Sequence, residues 1–199
     1  MEGGMVVTDD QELHHILLCL RAHGWTRNLP KENLVCGTKS DEFFEESFRF
    51  VLPGYNVRPL EMEGAIGQEQ LKKLPSFVKE RRANAIHFQE LFKNHSTFII
   101  QKELGDSSWF GFSLVIRPGL NIDRKSVVKQ LENSHIEVRP IVAGNFAKNE
   151  VVKYFNHEIC GELKNAQHID SKGLFVGNNQ VDIRSQIDLL ANSLSKNFV

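Results

Sequence analysis

The residues best suited to bind an anionic group follow a Pro-Gly step about a quarter of the way along the chain. After Pro53-Gly54, the segment Tyr55-Asn56-Val57-Arg58 places an amide and a guanidinium two positions apart. An amide NH₂ donates to a phosphate oxygen, and a guanidinium binds phosphate or carboxylate through two parallel hydrogen bonds. The segment could therefore bind a phosphate or carboxylate. From the residues alone, the alternative is a purely structural role, in which the loop leads into a tightly packed core helix.

A helix is predicted directly after this loop, running from Pro59 to Leu74. Proline suits the first helical position because its missing N–H would be unpaired there. Gly64 and Gly67 lie inside the helix, and each costs roughly 1 kcal/mol relative to alanine. The two glycines therefore predict that another backbone packs closely against this helix.

An earlier helix is predicted to begin at a cap formed by Thr8 or Asp9 and to stop at Gly24. Leucine and isoleucine side chains recur on one face at helical spacing, so that face is expected to be buried. His14 and His15 lie away from that stripe, and we expect both to be solvated.

His23 ends the same helix, where a loop begins and functional groups are commonly displayed. A histidine can give or take a proton near neutral pH, which makes His23 a candidate catalytic residue. The alternative is a histidine favoured at the helix end by the helix dipole.

Composition excludes several function classes. Lysine and arginine number 24 against 25 acids, so net charge gives no argument for nucleic-acid or membrane binding. The apolar runs are too short to span a bilayer. The 3 cysteines have no metal-binding spacing, which predicts free thiols, no metal site and a cytoplasmic location.

The rest of the chain predicts an α+β arrangement. Residues 31–47 are predicted to form a polar surface loop that leads into a strand at 48–52, and a long helix starts at Pro75. Further elements are predicted as strands at 97–101, 111–116, 136–140 and 173–177, with helices opening at Asp123 and Asp182. Antiparallel strands covered by helices on one face would form a domain from residue 95 onward.

Two further residues in that region are candidates for substrate binding. Arg139 lies between apolar residues of a predicted strand and is costly to bury without a partner. An internal salt bridge is the alternative explanation. Trp109 could line a ligand pocket, although a tryptophan in such a position is more often part of a core.

The Gly-Tyr-Asn-x-Arg segment and its helix resemble the signature of the pyridoxal-phosphate-dependent sugar aminotransferases of the DegT/DnrJ/StrS type, which have fold type I. The resemblance implies an α/β fold with residues 1–94 as the tail of the large cofactor-binding domain and 95–199 as the small α+β domain. It implies a homodimer in which Asn56 reaches the cofactor phosphate of the other subunit and Arg58 lines that pocket. The Schiff-base position would precede Met1.

The stretch around His23 resembles one branch of that family, the iron–sulfur-independent sugar 3-dehydrases that act on GDP-4-keto-6-deoxymannose in colitose synthesis, part of lipopolysaccharide biosynthesis. The resemblance implies 3-dehydration of a nucleotide-linked 4-keto-6-deoxy sugar with glutamate as co-substrate. His23 would then lie near the reacting atoms, Arg139 would hold the glutamate α-carboxylate, and Trp109 would line the sugar-nucleotide pocket. A sugar-nucleotide 4-aminotransferase and a truncated, inactive fragment remain as alternatives.

Overall fold

The computed structural model describes residues 3–195, and the chain forms two compact units, Met1–Lys72 and Lys73–Val199. The sequence placed a domain boundary at 94/95, whereas the units divide at 72/73. The difference arises because the long helix that precedes residue 94 buries Phe88 and Phe92 in the core of the second unit. Met1, which the resemblance places after the Schiff-base position, lies outside the described residues.

The first unit opens with helix α1, Gln11–Leu20. Its cap is Asp10, one residue beyond the predicted caps, and the Asp10 carboxylate accepts a hydrogen bond from the Leu13 N–H. The expectation that both histidines are solvated was wrong for His15, which is only 4 % exposed. Its Nδ1 accepts a hydrogen bond from the Leu34 N–H at 3.2 Å. Because Leu34 belongs to another segment, the helical periodicity of α1 could not reveal this contact.

The polar surface loop predicted over residues 31–47 contains short elements. Strand β1, Glu32–Asn33, pairs antiparallel with β2, Gly37–Thr38, and the four-residue helix α2, Phe43–Glu46, follows. The strand predicted at 48–52 is reduced to a single bridge between Trp25 and Phe50.

Helix α3, Glu61–Leu71, begins two residues later than predicted. Pro59 precedes its N-cap, Leu60, whose N–H donates to the Glu63 carboxylate at 3.2 Å. None of its residues is buried, and a Cβ added at Gly64 or Gly67 would meet nothing within 4 Å in the described part of the chain. The close packing that these glycines predict is therefore not supplied within residues 3–195.

The second unit is built on a three-stranded antiparallel sheet in the order β3-β4-β5. Its strands are β3, Phe98–Ile100, β4, Gly111–Ile116, and β5, Gly173–Gly177. Helices α4, Leu74–Phe92, α5, Arg124–Asn133, and α7, Arg184–Ser195, contribute buried side chains to the same core as the sheet. The predicted long helix and the strands at 97–101, 111–116 and 173–177 are thus confirmed.

Other parts of the second unit differ from the sequence prediction. Helix α6, Lys164–Lys172, and 3-10 turns at Phe146–Lys148 and Glu150–Tyr154 were not predicted. The strand expected at 136–140 is a single bridge between Arg139 and Phe175. Within residues 3–195, no helix has both the length and the apolar character needed to cross a membrane.

Candidate active-site elements

Backbone hydrogen bonds join the His23 turn to the Asn56 loop in the first unit. The His23 N–H donates to the Tyr55 carbonyl at 2.8 Å, and the Tyr55 N–H donates to the Leu20 carbonyl at 2.7 Å. Ala22 and Asn56 form an antiparallel bridge. His23 and Asn56, which are 33 residues apart in sequence, therefore lie on neighbouring backbone segments.

Two glycines make this junction sterically feasible. A Cβ on Gly24 would lie 1.6 Å from the Leu52 carbonyl oxygen, and Gly24 has a φ of +81°. A Cβ on Gly54 would lie 1.9 Å from the Gly24 nitrogen. Any side chain at either position would separate the two backbones, so the glycines set how closely the His23 turn approaches the Asn56 loop.

The side chains of His23, Asn56 and Arg58 are exposed. Within residues 3–195, none of the three makes a side-chain hydrogen bond or ion pair, so their donors face solvent. An unpaired amide two positions before an unpaired guanidinium in the same loop suits a phosphate or carboxylate group, which needs several N–H donors. This donor set therefore fits the phosphate of a cofactor such as pyridoxal phosphate.

His23 itself has a φ of 64°, which is unusual for a residue with a side chain. Such conformations cost of order 1–3 kcal/mol and persist where the surroundings over-determine them. Here the constraint comes from the hydrogen bond to Tyr55 and from Gly24, whose carbonyl accepts the Val51 N–H at 2.9 Å.

An aromatic cluster lies directly after the turn and was not predicted as part of the site. The Trp25 ring lies 5.4 Å from the Phe50 ring and 5.3 Å from the Phe48 ring, and the Arg27 guanidinium lies 3.6 Å from the Trp25 centroid. Phe48 is 70 % exposed. The density of aromatic residues around 43–50 was the available signal, but the pairing of Trp25 with Phe50 could not be derived from local periodicity.

The other two candidate residues lie in the second unit. Arg139 is exposed and pairs with Glu137, with Nη2 to Oε1 at 2.6 Å. It is thus an accessible surface residue. The ion pair that it makes is a surface pair with a residue two positions away, rather than the internal salt bridge considered as the alternative. Trp109, with a φ of 50°, is 4 % exposed and packs in the core.

None of the three cysteines forms a disulfide bond. Cys19, Cys36 and Cys160 are free thiols, and Cys19 is buried, which raises the pKa of its thiol. No group of three His, Cys, Asp or Glu side chains among residues 3–195 is placed to hold a metal ion.

Comparison with known proteins identifies the class to which this fold and these motifs belong. The profile of the DegT/DnrJ/EryC1/StrS aminotransferase family matches residues 1–179, so the chain belongs to this family. The predicted family is therefore confirmed.

Particular relatives are much closer. The chain is 61 % identical over 197 residues to GDP-4-keto-6-deoxy-D-mannose 3-dehydratase of Yersinia pseudotuberculosis, and the match covers 98 % of this chain and 50 % of that protein. The solved E. coli GDP-4-keto-6-deoxy-D-mannose-3-dehydratase with bound hydrated PLP is 58 % identical, with a TM-score of 0.88 over 94 % of this chain and 49 % of that one. Another structure of such a dehydratase, with a trapped PLP-glutamate geminal diamine, has the same TM-score of 0.88 and the same identity and coverage, 58 %, 94 % and 49 %.

These matches confirm the predicted fold class, that of fold type I enzymes. The matched portion is consistent with the carboxy-terminal part of such an enzyme. The chain spans about half the length of the relatives that it matches.

Proposed function

We propose that this chain is the carboxy-terminal part of a pyridoxal-phosphate-dependent enzyme that removes the 3-hydroxyl of GDP-4-keto-6-deoxymannose in deoxysugar biosynthesis. The observation that carries the proposal is the 61 % identity over 98 % of the chain to a protein of that activity. The exposed amide, guanidinium and imidazole at the junction of the His23 turn and the Asn56 loop support it chemically.

In this proposal each candidate residue has a distinct task. Asn56 donates its amide N–H to the cofactor phosphate, and Arg58 lines the same pocket as a second source of N–H donors. His23 is the catalytic residue that moves a proton at its imidazole during loss of the 3-hydroxyl. Arg139 binds the α-carboxylate of glutamate through its guanidinium. Trp109, which was a candidate for the sugar-nucleotide pocket, is buried in the core and has no direct contact with substrate in this proposal.

Bound pyridoxal phosphate supplies the electron sink for this chemistry, which no side chain of the protein could replace. The chain's own residues bind, orient and transfer protons. Arg139 is suited to its role because its partner, Glu137, is exposed, and a surface ion pair of this kind is worth only about 0–1 kcal/mol. An incoming carboxylate can therefore displace Glu137 at small cost.

The proposal also includes a homodimer whose active site is shared between subunits. Helix α3 supports this part, because it carries two interior glycines and exposed apolar side chains, including Met62 at 69 % exposure. A helix with this composition and no buried face is expected to pack on another chain or domain. Free thiols on all three cysteines support a reducing, cytoplasmic location.

A chimera tests the activity. The half of the Yersinia relative that this chain does not match is fused to the chain, and the product is incubated with pyridoxal phosphate, glutamate and GDP-4-keto-6-deoxymannose. We expect a sugar nucleotide that has lost one oxygen, identified by mass spectrometry. A product that has gained nitrogen would instead support the 4-aminotransferase.

The intact Yersinia enzyme and the chain alone serve as controls for that experiment. A chimera that folds and dimerises yet yields no product, under conditions in which the parent enzyme is active, would support the inactive-fragment alternative. The chain alone is expected to be inactive, because the Schiff-base position would be contributed by the fused half.

A further inference from the structure

Glu46, at the end of helix α2, joins three separate segments of the first unit. Its carboxylate accepts hydrogen bonds from the Ser40 N–H at 2.8 Å, the Arg49 guanidinium at 2.7 Å and the Thr26 hydroxyl at 3.0 Å. Its side chain is only 10 % exposed. A carboxylate with several charge-assisted bonds in a sheltered position is a strong local constraint.

One of these bonds reaches the His23 turn. Thr26 is 0 % exposed and lies three residues after His23, at the end of the segment in which the backbone takes positive φ at His23 and Gly24. The Thr26 N–H also donates to the Arg49 carbonyl at 3.1 Å. Arg49 is itself bonded to Glu46, so one carboxylate holds both Thr26, at the end of the turn, and the segment that pairs with it at Arg49.

We infer that Glu46 is a positioning residue for the candidate active site, holding the His23 turn in its strained conformation beside the Asn56 loop through Thr26 and Arg49. Glu46 acts through these neighbours and is not itself a catalytic residue. The inference rests on the proposed function only for the role of His23, since the restraint on the turn is a property of the folded chain.

The charge state of Glu46 agrees with this role. The Ser40 N–H, followed by the Arg49 guanidinium, lowers the pKa of the Glu46 carboxyl, so the group is ionised at neutral pH and accepts all three bonds. Glu46→Gln retains one acceptor oxygen and loses the charge, whereas Glu46→Ala removes every bond. The effect on the turn should therefore be larger for Glu46→Ala than for Glu46→Gln.

Nuclear magnetic resonance of the full chain tests the restraint without any activity. We expect the His23 and Gly24 amide and Cα resonances to move in Glu46→Gln and in Thr26→Val, which removes only the hydroxyl bond. Asp41→Asn is the matched control, because Asp41 pairs with Lys31 in the surface loop at 31–47 and has no bond to the turn. Unchanged His23 resonances in folded Thr26→Val and Glu46→Gln would overturn the inference.

The chimera provides the functional readout. We expect Glu46→Gln to lower kcat about 10- to 100-fold with little change in the KM for the sugar nucleotide, since displaced catalytic groups affect rate more than binding. Asp41→Asn should leave both constants as they are. A rise in KM alone, or equal loss in the control, would contradict a positioning role for Glu46. An inactive parent chimera would instead count against the proposed function, leaving the resonance experiment to decide on Glu46.

Discussion

The polar side chains of the candidate site are available because the backbone holds their segments in place. Exposed Asn56 sits on a loop fixed by main-chain bonds, and the turn that carries His23 crosses that loop at Gly24. Within residues 3–195, the side chains of His23, Asn56 and Arg58 take no part in holding the turn and the loop together. Their donors are therefore free for a ligand, which is how preorganised binding sites reduce the entropy cost of binding.

Asn56→Ala in the chimera should weaken cofactor binding. It removes one hydrogen bond to a charged group, worth about 1.5–3 kcal/mol, which corresponds to about a 10- to 150-fold rise in the Kd of pyridoxal phosphate. Spectrophotometric titration of the apo chimera measures the constant. Asn94→Ala changes an exposed asparagine of the second unit and is the control; equal Kd values for the two variants would refute the Asn56 assignment.

Gly24→Ala should destabilise the first unit more than Gly37→Ala does. Both glycines have positive φ, +81° and +75°, but only at Gly24 would the new Cβ meet another atom, at 1.6 Å. Gly37→Ala therefore measures the backbone cost alone, about 1–2 kcal/mol. Chemical denaturation followed by Trp25 fluorescence, with Trp109 replaced by Phe, compares the two free energies of unfolding. A Gly24→Ala cost no larger than that of Gly37→Ala would show that the two segments can move apart freely.

At the scale of elements, the sequence predicted the helices and strands that are marked by the spacing of apolar residues within one segment. Helix α4 and strand β5 have clear periodicity and were located within one or two residues. The strand expected around Arg139 is a single bridge, because a strand needs a partner along its length and, among residues 3–195, only Phe175 pairs there. The burial of His15 depends on a bond from Leu34, a non-local contact that composition cannot supply.

The candidate site was predictable to a similar extent. The Asn56 loop and His23 were identified from residue type and from resemblance, and the structure adds the junction between them. The role inferred here for Glu46 could not be predicted, because its partners at 26, 40 and 49 share no periodicity with it.

Gly64→Ala tests whether α3 packs on another chain. In the isolated chain, a Cβ at this position meets nothing within 4 Å, so alanine should stabilise α3 by up to about 1 kcal/mol through helix propensity. In the dimeric chimera the same Cβ should enter a close helix contact and weaken association. Circular dichroism of the chain and sedimentation of the chimera measure the two effects. Stabilisation of both would indicate that α3 stays solvent-exposed in the assembly.

At the scale of the whole molecule, the titrating groups of both units predict that stability is lost on acidification. Burial, and secondarily Arg117, lowers the pKa of His95 from 6.5. Below about pH 6.5 the unfolded chain therefore binds more protons than the folded chain, and the free energy of unfolding falls. Hydrogen bonds also lower the pKa values of Glu46, in the first unit, and Asp182, in the second. Their contributions have the same sign and are lost below about pH 4.5.

The expected melting temperature is accordingly level between about pH 7.5 and 8.5, falls through a first step as pH drops past about 6.5, and falls again below about 4.5. His95→Gln should flatten the first step while leaving the second, because the carboxylates are unchanged. His157→Gln, which alters an exposed histidine of the same unit, should keep both steps. His95 lies between Phe92 and Phe98, and this burial, which lowers the pKa of His95, exists only in the folded chain, so removing the histidine should remove the first step. If His95→Gln retains the first step, that loss of stability must come from another group.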